Sequence, residues 1–130
     1  MSRYIARDIA FKLVFEYSFN KEQDNELLVC LCEESKVDAE KGYILEVYNG
    51  VINHYDELIA CIGELSHGFS IDRIFKVDLA IMLVAIYEMS YISSIPHKVS
   101  INEAINLAKK YSTEKSGKFI NGILSNFTGE

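Results

Sequence analysis

Residues 71–92 set the condition that the rest of the chain has to meet. Leu79, Ile81, Met82, Leu83, Ala85, Ile86 and Met89 spread apolar side chains over nearly every side of a helical wheel. A helix with no polar face is stable only when neighbours surround it. The unbroken apolar run, Leu79 to Tyr87, is far too short to span a bilayer, and Asp78 and Glu88 bound it. No membrane partner is expected, so the surrounding layer has to come from the rest of the chain.

That layer reads as amphipathic helices. Residues 3–19 place Ile5, Ile9, Leu13 and Tyr17, with Ala6, Ala10 and Val14, on one wide face at a period of 3.6. Asn20 to Asn25 is a polar break, and Glu26 to Glu34 a shorter helix. Asp38 suits the N-cap of a long helix through Ile44, Val47, Tyr48, Val51 and Tyr55 towards Ile62, with Gly50 as the place for a kink or split. Ser93 to Pro96 ends the central helix. Ser100 and Glu103 then form an S-x-x-E pattern, which predicts a capping box ahead of Ile101, Ala104, Ile105, Leu107 and Ala108. Ser116 to Phe127 reads as the last helix. With one proline, seven glycines and no strand-like run, the chain is expected to be an all-α bundle of about six or seven helices. At 130 residues and 49% apolar, it is long enough for one domain over residues 1–130 with its own core.

Charge narrows the function. The formal net charge is −6, which argues against coating nucleic acid through bulk charge. It is unevenly spread: residues 21–60 carry ten carboxylates and three lysines, a net −7, whereas residues 1–20 and 99–130 are each +1. Any nucleic-acid contact is therefore expected at the two ends. Cys30, Cys32 and Cys61 are odd in number and no secretory signal precedes them, which fits a reducing cytoplasm. With His67 they do not match the usual spacing of zinc ligands, and Cys30 and Cys61 fall on apolar helical positions, so core packing is the better reading. Gly-rich phosphate loops, G-x-S-x-G and H-E-x-x-H are all missing, and His54, His67 and His97 are scattered. Asp78 and Glu88 point about 80° apart on one helix, a poor carboxylate pair. They are expected to be solvated helix ends. Neither an enzyme nor a cofactor site is expected.

Two cation-and-aromatic patches stand out. On the first helix, Arg3 and Arg7 adjoin Tyr4, Phe11 and Phe15, on a face turned away from the main apolar stripe. On the last helix, Phe119 and Lys115 lie beside the core face and Lys118 nearly opposite it. Rings that stack on unpaired bases, next to cations that hold phosphate, suit single-stranded RNA. The same rings also suit packing against another helix or a second copy of the chain; on the first helix spacing alone favours that packing, and on the last it does not choose.

Ile81–Met89, Ile95-Pro96, the block Val99-Ser100-Ile101-Asn102-Glu103-Ala104 and the block Glu114 to Leu124 (EKSGKFINGIL) together resemble the bacterial NusB family of transcription antitermination proteins. The opening helix, with Ala6 to Ala10 (ARDIA), aligns with that family's arginine-rich first helix. The resemblance implies an all-α NusB fold in two helical halves, and binding rather than catalysis. It implies pairing with NusE, a small-subunit ribosomal protein, on the boxA element of nascent ribosomal RNA within the transcription elongation complex. By position, Arg7, Phe15, Lys118 and Phe119 match the family's RNA face, and Asp78 falls near its partner-protein interface. The chain also departs from the pattern: Tyr4 and Ile5 replace arginines, Phe15 a frequent tyrosine, Phe69 a frequent tryptophan, and Leu83 an arginine, with a local salt bridge expected to change. Two other readings remain open. One is a homo-oligomeric module dimerising through Tyr4, Phe11 and Phe15. The other is an accessory domain of the kind some RNA methyltransferases carry, although a chain ending at Glu130 with no cofactor fold after it is expected to have no catalytic means.

Overall fold

The structure, a computed structural model, describes residues 3–35, 40–68 and 70–127, with Arg3 by its backbone alone. Among the described residues it consists of helices without strands: α1 (Arg3–Asn20), α2 (Asn25–Ser35), α3 (Lys41–Asn53), α4 (Tyr55–Leu65), a 3₁₀ turn (Ile71–Arg73), α5 (Lys76–Tyr91), α6 (His97–Tyr111) and α7 (Glu114–Leu124). The expected capping residue Asp38, and Phe69, lie outside the described residues. No helix among the described residues is long and apolar enough to cross a membrane.

The featureless helix is the axis of the fold. All residues from Asp78 to Met89 are buried, and α5 packs against α1, α3, α4, α6 and α7. Around it, α1 holds α2 and α3, while α7 holds α4 and α6, which gives the two helical halves. Leu83, whose replacement of an arginine was expected to alter a local salt bridge, is fully buried apolar packing.

Local structure departs from expectation where long-range contacts decide. The long helix breaks at His54 (φ −117°), which closes α3 and opens α4. Asp56 and Glu57 then sit in the first turn of α4, where a helix N-terminus favours acids. Gly50 stays inside α3 and clears space: a Cβ there would come within 2.2 Å of the Tyr87 ring. α5 begins at Lys76, because Ser70 caps the short turn before it by accepting from the Asp72 amide. α6 begins directly after Pro96, so Ser100 lies inside the helix and the capping box does not form. Proline is pre-set for a helix start, and the Ser100 hydroxyl donates instead to buried Glu88 at 2.7 Å. α7 starts earlier than expected, at Glu114, with Thr113 as its N-cap accepting from the Ser116 amide. Cys32, not Cys30, is the buried member of that pair, and Cys61 is half-buried.

Candidate nucleic-acid interface

Both acids that bound the central helix are interior, not solvated. A buried carboxylate persists only when its lone pairs are satisfied. Glu88 is fully buried and accepts from Arg7 Nε at 2.8 Å, Arg7 Nη2 at 3.3 Å, Ser100 Oγ, and the Tyr43 hydroxyl. These donors come from α1, α3 and α6, so one carboxylate ties three helices to the axis. Asp78 accepts from Ser112 Oγ at 2.9 Å and from Ser116 Oγ at 2.8 Å, which fixes the α6–α7 turn and the first turn of α7 against α5. A third carboxylate, Asp8 on α1, accepts from Lys12, Lys110 and the Tyr111 hydroxyl, and so clamps α1 to the end of α6. Burial pushes the Asp8 pKa up, but Tyr111, Lys110 and Lys12 more than offset it, and the pKa lies below the usual value.

This arrangement changes the roles of two residues picked out in the sequence. Arg7, expected on an exposed basic face, is only 5% exposed and committed to Glu88. Burial opposes its charge, yet the hydrogen bond and the charge of Glu88 hold its pKa above the ordinary arginine value. Asp78, expected near a partner surface, is itself buried and acts through the turn it holds. The side chain of Arg3 lies outside the described residues. Phe11, expected to face away from the core, is buried under Tyr111, with ring centroids 5.2 Å apart, because the Asp8 clamp draws α6 over that side of α1. The stripe of Tyr4, Phe11 and Phe15 is therefore interrupted: Tyr4 is exposed, Phe15 half-buried and Phe11 covered.

The remaining rings and cations gather around the N-terminal end of α5. Phe15 meets Phe19 edge-on at 5.0 Å, and Phe19 is 60% exposed. Lys76, the first residue of α5, lies with its ammonium 5.7 Å from the centre of the Phe19 ring. Its neighbour Phe75 is 65% exposed. Phe75 lines a cleft of about 430 Å³ shared with Arg73, Asp78, Lys115, Ser116 and Phe119. Phe119 is half-buried, and Lys115 and Lys118 are exposed. The start of α5 thus meets the Phe15–Phe19 pair of α1 through Lys76 and shares a cleft with the Phe119–Lys115 edge of α7 through Phe75. Sequence reading missed Phe19, Arg73, Phe75 and Lys76. Phe19 continues the four-residue spacing of Phe11 and Phe15 and was open to that signal. No local pattern singles out the other three, which come from a loop and a helix start.

Comparison with known proteins bears on the family and the fold. The NusB family model matches residues 4–129. The transcription antitermination protein NusB of Acetivibrio thermocellus is 43% identical over 125 residues, covering 95% of this chain and 86% of that protein. NusB of Agathobacter rectalis is 43% identical over 130 residues, covering 98% and 99%. Among solved structures, T. maritima NusB superposes with a TM-score of 0.86 at 31% identity, covering 96% of this chain and 89% of that one. A structure of the antitermination factors NusB and NusE in complex with dsRNA superposes with a TM-score of 0.83 at 29% identity, covering 96% of both chains. Family match, near-full-length identity and superposed fold coincide, and the chain belongs to the NusB family of transcription antitermination proteins.

Proposed function

We propose that this chain is a non-enzymatic RNA-binding antitermination factor. It pairs with a NusE-type small-subunit ribosomal protein and holds boxA-type single-stranded RNA within the transcription elongation complex. The observation that carries the reading is the run of exposed and half-buried rings with cations at the start of α5: Phe15, Phe19, Lys76, Phe75, Lys115 and Phe119. Lys118 adds a phosphate contact on the exposed side of α7. Rings placed this way suit unpaired bases, and the adjacent ammonium groups suit the backbone between them. Arg7 and Asp78 are positioning residues: one sets α1, the other α7. The ribosomal protein takes the rim beyond Phe75, whose large exposed ring borders both surfaces. Because the chain carries net −6, its own affinity is low and the partner supplies much of the attraction for phosphate. A solved relative holds NusB and NusE together in complex with dsRNA, which supports RNA and a NusE-type protein as the two partners.

The test is fluorescence anisotropy with a labelled single-stranded boxA-type oligonucleotide, with and without the ribosomal protein. Affinity is expected to rise with the partner present and to fall about 5- to 150-fold in Phe119→Ala, the value of one stacked base. A duplex of the same sequence is expected to bind more weakly, since its bases are not free to stack. Unchanged affinity in Phe119→Ala and Lys115→Ala, or a preference for the duplex, refutes the assigned face.

A further inference from the structure

The opposite end of α5 carries a second arrangement of aromatic side chains, independent of the RNA reading. Tyr91 lies thirteen residues after Asp78 on the same helix, about 20 Å along its axis. Tyr87 and Tyr91, one helical turn apart, have ring centroids 5.0 Å apart, and His54 from the α3–α4 break stacks on Tyr91 at 4.6 Å with the planes 22° apart. Glu57 completes the group: its Oε1 lies 2.7 Å from His54 Nδ1 and accepts from the Tyr91 hydroxyl at 3.2 Å. Burial, and then the nearby charge of Glu46, push the Tyr87 pKa up.

The stack is built into the fold. Tyr87 is buried and lies over Gly50, the one place along α3 where its ring meets a residue with no Cβ. This anchors Tyr91, which stays 45% exposed although its ring and its hydroxyl are both held. An exposed ring held in one orientation offers contact at little further entropic cost. Around it the surface is acidic. Glu46, Asp56 and Glu57 are all exposed, within the segment that carries net −7. His54, Asp56 and Glu57 also line a groove of about 480 Å³ that runs to Tyr17 and Tyr55, where Lys21 lies over the Tyr55 ring at the end away from Tyr91, so the acidic end is the one open to a cationic side chain.

We propose that the His54–Tyr91–Tyr87 stack, edged by Glu57 and Glu46, is a docking surface for an arginine-bearing cationic segment of another protein. A guanidinium stacks on a tyrosine face and pairs with a carboxylate in the same plane, a geometry that lysine matches less well. Carboxylates at both edges repel phosphate, which excludes nucleic acid as the occupant. The chain would then meet RNA at one end of α5 and a basic protein segment at the other.

The experiment is an NMR titration of the ¹⁵N-labelled full chain with a synthetic peptide of Gly-Ser-Arg repeats. The Gly-Ser-Lys counterpart and a boxA-type oligonucleotide are run separately. The arginine peptide is expected to shift the amides of His54, Glu57 and Tyr91, and the lysine peptide to bind several-fold more weakly. Tyr91→Leu and Glu57→Gln, both at exposed positions, are each expected to weaken binding about five-fold or more, with thermal melts confirming that they fold. Shifts centred elsewhere on the acidic surface, or equal affinity of wild type and Tyr91→Leu, overturn the proposal. So does an oligonucleotide that moves the same amides. Phe119→Ala should leave the peptide affinity unchanged, so failure here and failure of the RNA reading are separable.

Discussion

Replacing Glu88 by glutamine keeps the side-chain volume and removes the charge on which the interior converges. Arg7 would remain buried with no counter-ion, and an amide offers only one acceptor where four donors now point. Breaking a buried, hydrogen-bonded ion pair from one side costs about 3–5 kcal/mol. A domain of this size is stable by about 5–15 kcal/mol, so roughly a fifth of the total or more is at stake. The expected fall in Tm is roughly 10–20 °C, checked by urea and thermal denaturation followed by far-UV circular dichroism. The double replacement Arg7→Met with Glu88→Leu should recover most of the loss, since replacing both partners of such a pair by apolar groups is often nearly neutral. The Ser100 hydroxyl can then bond back to its own helix. The same double variant tests the role given to Arg7. If it folds and binds RNA with wild-type affinity and salt slope, Arg7 acts by placing α1. If it folds and the salt slope falls by about one phosphate contact, Arg7 touches the backbone directly and the structural reading is wrong. A cost for Glu88→Gln below about 1 kcal/mol would refute the whole account of the network.

Three further outcomes follow from other contacts. The Asp8 carboxyl has a folded-state pKa below its unfolded value, so its contribution is present above about pH 4 and is lost as pH falls through the folded pKa. Asp8→Asn should therefore be less stable than wild type by about 1 kcal/mol at pH 7, and the two denaturation curves should converge in acid. Gly50→Ala gains about 1 kcal/mol of helix propensity but drives a Cβ into the Tyr87 ring. Overpacking costs about 1–3 kcal/mol, and the net effect should be destabilising unless Tyr87→Leu is added, as a double-mutant cycle would show. Asp78→Ala leaves the Ser112 and Ser116 hydroxyls without their acceptor. It should lower stability by about 1–3 kcal/mol and weaken RNA binding through displacement of Lys115 and Phe119, readable by comparing anisotropy at matched folded fraction.

Helix type and number were legible in the sequence because they rest on local periodicity. The apolar face of α1, the all-round apolar character of α5 and the proline before α6 each act within a few turns. The family blocks were legible for the same reason: they are contiguous. The side chain at the centre of the fold was not. Glu88 reads as a polar helix end, and only the convergence of Arg7, Tyr43 and Ser100, from 81, 45 and 12 residues away, makes it interior. The Ser100–Glu103 pattern failed as a cap because that hydroxyl had a stronger claim from Glu88.

The candidate interface divides along the same line. Phe15, Lys115, Lys118 and Phe119 sit on regular helices, where a wheel places them beside or outside the core face. Arg7 lies on the same kind of helix, yet its wheel position misled, because a wheel knows the helix's own stripe and not which neighbour covers its flank. Phe75, Arg73 and Lys76 come from a turn and a helix start, where no period operates. By itself the sequence determined that this chain must wrap amphipathic helices around one wholly apolar helix, since a 3.6-residue repeat needs no partner to be read. Which acids are interior, which arginine is locked and which rings stay open was decided by tertiary packing alone, because burial belongs to the neighbours of a residue and those neighbours lie far along the chain.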